Sequence, residues 1–216
     1  MDIAHRYETE AAIYGCLQGL YTYPMSSDKL SALRELGSMH SRINKHLVFL
    51  RNLLDECIDQ DNFLERLDVE FTRLFVGPGQ NSSPPYASFY LNNAMLMGAE
   101  ASAVRSIYLD WGMAPVELGR IPDDHISLEL AFMGYLSSEA HEALADKDVR
   151  RMQVLSEAQA GFMHDQLLTW VPGFCSSVIA ATEEDFFAGL ARLTQTQLEV
   201  DASLLDEMIA ASARSE

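Results

Sequence analysis

Positive charge is scarce in this sequence, cysteine is scarcer, and a long apolar run is missing altogether. The 216 residues hold 15 Lys and Arg against 32 Asp and Glu, a formal net charge of −17. A field of that sign repels phosphate backbones and attracts basic partners, which argues against nucleic acid as the ligand. Cys16, Cys57 and Cys175 are odd in number and far apart, with no CxxC. That argues against a disulfide framework and a cysteine zinc site, and suits a reducing compartment. No segment approaches the ~18 apolar residues of a membrane-spanning helix. The first residues, Met1-Asp2-Ile3-Ala4-His5-Arg6, lack the basic and apolar regions of a secretory signal, and no apolar run follows the internal Arg150-Arg151 pair. A cytoplasmic location is expected. Catalytic signatures are missing too: there is no GxSxG, no HExxH and no GxGxxG after a strand.

Charge of either sign is absent from one stretch. Between Leu74 and Ala99 there is no Asp, Glu, Lys or Arg, in a chain that carries 47 of them. Surface loops are ordinarily polar, so an uncharged loop rich in Pro, Gly and aromatics is either packed under something or kept apolar to receive something. Leu64, Leu67, Phe71, Leu74 and Phe75 fall at helical spacing ahead of it. The break is expected at Gly77-Pro78-Gly79, where proline stops the hydrogen-bond ladder and glycine accepts a left-handed cap. The Gly/Ser content of residues 77–83 is that of a phosphate loop, but the lysine is lacking and the segment leaves a helix where a phosphate loop would open one.

Elsewhere the periodicity is helical, in a composition 48% hydrophobic and 22% charged. Helices are expected from Ile3 to Tyr21, from Asp28 to Leu36 behind a Ser26 or Ser27 cap, and over the stripe Ile43, Leu47, Leu50 and Leu54. Further helices are expected over Leu64–Phe75, Ala94–Trp111, from an Asp123 or Asp124 cap to Ala145, and over Arg151–Leu168, Phe174–Ala181 and Glu183–Met208. No stretch shows strand alternation. The expected fold is all-α: one multi-helix bundle domain over 1–216, irregular near 77–90 and 115–123. A domain of this length buries roughly 70% of its unfolded surface. The acidic C-terminal segment, with eight acids and two bases over 183–216, reads as a solvated face.

Three blocks carry a resemblance. The first runs from Phe71 through Leu74-Phe75 and Gly77-Pro78 to Pro84-Pro85-Tyr86-Ala87-Ser88. The second is Pro122-Asp123-Asp124-His125 with the apolar-acidic helix behind it, and the third is Leu167-Leu168-Thr169-Trp170-Val171-Pro172-Gly173-Phe174. In this order they resemble the TorD/DmsD family of redox-enzyme maturation chaperones. The resemblance implies an all-helical chaperone with no chemistry and no resident cofactor of its own. Its implied partner is the twin-arginine leader peptide and apo-protein of a molybdenum-containing oxidoreductase, held until the cofactor is inserted. The implied peptide-binding residues are Phe71, Leu74, Phe75, Pro85, Tyr86, Ser88, Asp124 and His125, with Tyr21 and Tyr23 at the border. The chain has Phe71 and Tyr86 where dimethyl-sulfoxide-reductase chaperones often carry Trp. Monomers and domain-swapped dimers are both compatible with it.

Other readings of the same residues stand beside this one. Phe71, Leu74 and Phe75 also form an ordinary core stripe. His125 and Glu129, at i and i+4, suit a metal-dependent hydrolase, or His125 is simply a histidine at a helix start. Asp124 is expected to cap that helix and still meet a client arginine. A nitrate-reductase-type assembly chaperone, whose client has no cleaved leader, is the third reading.

Overall fold

The structure is a computed structural model that describes residues 3–40, 44–57, 62–77, 82–91, 99–113, 121–212 and 214. Ten α-helices follow one another among these residues: α1 Ile3–Leu20, α2 Ser27–Met39, α3 Lys45–Cys57, α4 Phe63–Phe71, α5 Ala87–Leu91, α6 Ala99–Asp110, α7 Ile126–Ala145, α8 Val149–Phe162, α9 Leu168–Ala181 and α10 Asp185–Ser212. Two widened, π-helical turns extend α4 (Thr72–Val76) and join α8 to α9 (Met163–Leu167). The all-α expectation is met. No β-strand occurs among the described residues; Tyr86 and His125 form an isolated antiparallel bridge. No helix among them is long and apolar enough to cross a membrane.

One buried cluster draws side chains from all ten helices. Its spine is α1 lying along α7. Gly134 permits that approach, since a Cβ there would lie 3.3 Å from Tyr14 Cβ. Buried polar groups tie α1 to its other neighbours. Tyr14 donates to Asp201 Oδ2 of α10 at 2.6 Å, and the Tyr7 hydroxyl meets Ser156 of α8 at 3.0 Å. Arg6 pairs with Glu10 beside them. Burial, reinforced by the Asp201 charge, pushes the Glu10 carboxyl up to about 7.

Four local expectations need correcting. Gly77 is extended (φ −77°, ψ 151°), not left-handed, because the residue before a proline is driven out of the helical and into the extended region. Its N–H donates to Thr72 O at 2.8 Å and so closes the widened turn. Gly79 lies outside the described residues, and among those described the left-handed glycine is Gly112 (φ 69°), which follows α6. Next, the segment expected to be irregular from 77 to 90 contains α5. Finally, helix runs on from Val149 to Ala181 without the break expected before Phe174, with Pro172 inside it. The widened turn just upstream gives the helix a place to bend for the proline ring. Burial of Trp170, Val171, Phe174 and Cys175 then favours the continuous form. The fourth correction concerns the start of α7 and belongs to the site. Of the two segments expected to be irregular, residues 78–81 and 115–120 lie outside the described residues, as do 94–98 at the start of the helix expected over Ala94–Trp111.

Candidate peptide-binding cleft

Where α1 ends, the chain turns through Tyr21, Thr22 and Tyr23 and faces the widened turn that follows α4. Between them lies a cleft of about 450 Å³, lined by Gln18, Tyr21, Thr22, Tyr23, Phe71, Phe75, Val76, Pro85, Tyr86, Ile121 and His125. No Asp, Glu, Lys or Arg is among them. The volume falls inside the roughly 300–1,000 Å³ usual for ligand sites. Aromatic rings build its floor: Phe71 and Phe75 meet edge to face at 4.9 Å, and Tyr21 lies 5.9 Å from Phe75. Tyr23 stands at the rim, 60% exposed, its ring 5.9 Å from Phe71. A single π-turn inside a helix is frequently found at functional sites, and here it carries Phe75 and Val76 to the cleft wall.

The opposite wall is Pro85 and Tyr86, and it is held by main-chain pairing with residues almost forty positions away. Ala87 N–H donates to Asp124 O at 3.0 Å, and Ile126 N–H donates to Pro85 O at 2.9 Å. Asp124 completes the clamp, its Oδ2 accepting from Ser88 N–H at 2.8 Å. The Asp124 carboxylate therefore sits at the start of α5. It does not cap its own helix: the cap of α7 is His125, whose Nδ1 accepts from Ser127 N–H at 3.1 Å. The reason is tertiary, since the clamp turns the Asp124 side chain toward α5 and leaves the next residue facing the free N–H groups of α7. Asp124 is fully buried, so its carboxylate is closed to a client arginine as the protein stands. On its other flank Asp123 is paired with Arg105 at 2.6 Å.

His125 supplies the cleft's most specific polar group. Its ring packs edge to face on Tyr86 at 5.0 Å and is 7% exposed. Burial lowers its pKa to about 4, so it is neutral near pH 7. Because Nδ1 accepts from the Ser127 main chain, the ring proton resides on Nε2. His125 thus adds an Nε2–H donor to a lining whose other polar side chains include Gln18 and Thr22.

Of the eight residues expected at the site, Phe71, Phe75, Pro85, Tyr86 and His125 line the cleft, as do both border residues, Tyr21 and Tyr23. Leu74, Ser88 and Asp124 are fully buried behind it. Leu74 O accepts from Ser83 N–H at 2.6 Å, which anchors the returning loop. Gln18, Thr22, Val76 and Ile121 were not anticipated. Val76, an apolar residue at the exposed end of a stripe, carried a readable signal; the other three did not. The His125/Glu129 chelate does not form. Glu129 is fully buried, accepts from Trp170 Nε1–H at 3.0 Å, and is pushed well above the usual carboxylate range by burial. No group of three His, Cys, Asp or Glu able to hold a metal occurs among the described residues.

The chain is similar to known proteins. A protein-family model described as the nitrate reductase delta subunit matches residues 38–176. The chaperone protein TorD of Vibrio cholerae is 29% identical over 94% of each chain. That of Photobacterium profundum is 26% identical, over 92% of this chain and 94% of its own. The crystal structure of a protein from Archaeoglobus fulgidus, described as a redox enzyme maturation protein, superposes with a TM-score of 0.54 over 91% of this chain and 93% of the other, at 22% identity. The chain belongs to the TorD/DmsD family of redox-enzyme maturation chaperones. The relatives named here are chaperones and not enzymes.

Proposed function

We propose that the protein is a cytoplasmic chaperone whose cleft takes the apolar segment of the twin-arginine leader of a molybdenum-enzyme precursor. It would hold that precursor until the cofactor is inserted and folding is complete. The observation that carries this reading is the charge-free lining of the Tyr23–Phe75–Tyr86 cleft on a body of net charge −17. A twin-arginine leader has a basic part followed by an apolar part, and the two surfaces match the two parts. An apolar segment gains roughly 25 cal/mol for each Å² it removes from water. The Nε2–H of His125 suits a peptide carbonyl, and the lack of any cation among the described lining residues disfavours a phosphate-bearing ligand. Binding is reversible and involves no covalent step. The three free thiols are in keeping with a reducing compartment. The match to the nitrate reductase delta subunit description favours a second reading, a client with no cleaved leader whose own apolar segment fills the same cleft. TorD relatives along nearly the whole chain favour the first.

Calorimetry with a synthetic leader and its two halves tests the assignment. The apolar half alone should retain most of the affinity of the whole. If the basic half retains it and the apolar half binds nothing, the cleft is not the leader site.

A further inference from the structure

Beyond the cleft floor, exposed apolar side chains stand on α4 and on the widened turn that extends it. Val69 is 65% exposed in α4, and Val76 is 64% exposed at the end of the widened turn that extends it, with exposed Thr72 between them in the chain. Val76 belongs to the uncharged cleft. Val69 belongs to a second hollow of about 320 Å³, lined also by Asn62, Glu65, Arg66, Glu70, Glu183 and Glu184. One segment, α4 with its widened turn, therefore borders both hollows. The second hollow has the opposite character to the first. Glu70 is consumed internally, bonded twice to Arg73 and once each to Glu183 N–H and Thr182. Glu184 is paired with Arg66 at 3.1 Å. Glu65 and Glu183 are exposed and form no ion pair among the described residues.

We propose that this face of α4 is a second section of the docking surface, occupied by the client residues that join the apolar segment to the basic ones. The apolar end lies in the cleft and the basic end over Glu65 and Glu183. The inference rests on the leader-binding reading and adds to it a direction and a spacing. Charge complementarity supports this placement at one end, and continuity with the cleft at the other. From Glu65 to Val76 the segment advances at most about 16 Å, since the widened turn rises less per residue than the 1.5 Å of an α-helix. A client in extended form covers that distance in about five residues. The extended form is the appropriate one, because the interior of a helix has no unpaired carbonyl to offer His125 Nε2–H.

The test is a series of synthetic leaders in which two arginines are separated from the apolar stretch by about two, five or ten residues. Affinity is measured by calorimetry on the wild type and on the Glu65→Gln/Glu183→Gln double variant. The wild type should bind best at about five, roughly three- to tenfold tighter than a leader with both arginines made neutral, as expected of exposed ion pairs. The double variant and high salt should both flatten the series. Affinity that ignores the spacer and the double variant, while Tyr86→Ala still weakens binding, would overturn the docking path and leave the cleft assignment standing. Self-association abolished by Val69→Lys, with leader affinity unchanged, would assign the face to a second copy of this chain and overturn the proposal. If no leader binds at all, the leader reading falls and this inference with it.

Discussion

Asp124 offers the sharpest perturbation, because its chemistry points to a client and its position points away from one. The side chain is fully buried, and Oδ2 accepts from Ser88 N–H at 2.8 Å. Asp124→Ala removes that acceptor and strands a buried main-chain donor. A hydrogen bond to a charged group is worth about 1.5–3 kcal/mol. For a protein of this size, with about 2–4 °C per kcal/mol, the melting temperature should fall by roughly 3–12 °C. Asp124→Asn keeps an oxygen for Ser88 N–H and should cost less than about 1 kcal/mol, since a neutral bond replaces a charged one while the desolvation cost of the charge disappears. The Pro85–Tyr86 wall depends on this clamp. Asp124→Ala should therefore weaken every leader by a similar factor, and Asp124→Asn should bind leaders with native or neutralised arginines as the wild type does. Thermal melts and paired calorimetric titrations measure both. Selective loss of affinity for the arginine-bearing leader in Asp124→Asn would refute the reasoning, because it would place the carboxylate against the client.

Tyr86→Ala and Leu74→Ala should separate binding from packing. Tyr86 is half-buried on the cleft wall and should cost about 1–3 kcal/mol of leader affinity with little change in melting, as truncation of an aromatic anchor does. Leu74 is fully buried, and its truncation should cost about 2–5 kcal/mol of stability; equal melting losses with unaltered affinity would show that neither residue touches a ligand. His125, whose pKa is lowered to about 4 by burial, binds its proton in the unfolded chain first. It should therefore remove stability as pH falls from about 6.5 toward 4, an effect that His125→Gln abolishes in urea melts taken across that range. Glu10, raised to about 7, acts with the opposite sign. The unfolded chain loses that proton first, so stability should fall as pH rises from about 4.5 to 7, and Glu10→Gln should flatten that slope.

Much of this protein is local, and what is local was legible. Helical periodicity located α1, α3 and α10, and Ser26 caps α2 through Lys29 N–H as its residue type suggested. The charge-free stretch after Leu74 pointed to the wall that lines the cleft, because the absence of charge is a property of the chain itself. What tertiary structure decided depends on partners remote in sequence. Asp124 and Ser88 lie thirty-six positions apart, and only their pairing turns one carboxylate from a cap of α7 into a clamp on α5. The same pairing leaves His125 to cap α7 and fixes which of its nitrogens carries the proton. Phe71, Leu74 and Phe75 share one apolar stripe, yet Leu74 is sealed while its neighbours reach the cleft. A periodic pattern states which side of a helix is apolar; whether that side meets the core or a cleft depends on what the rest of the chain packs against it.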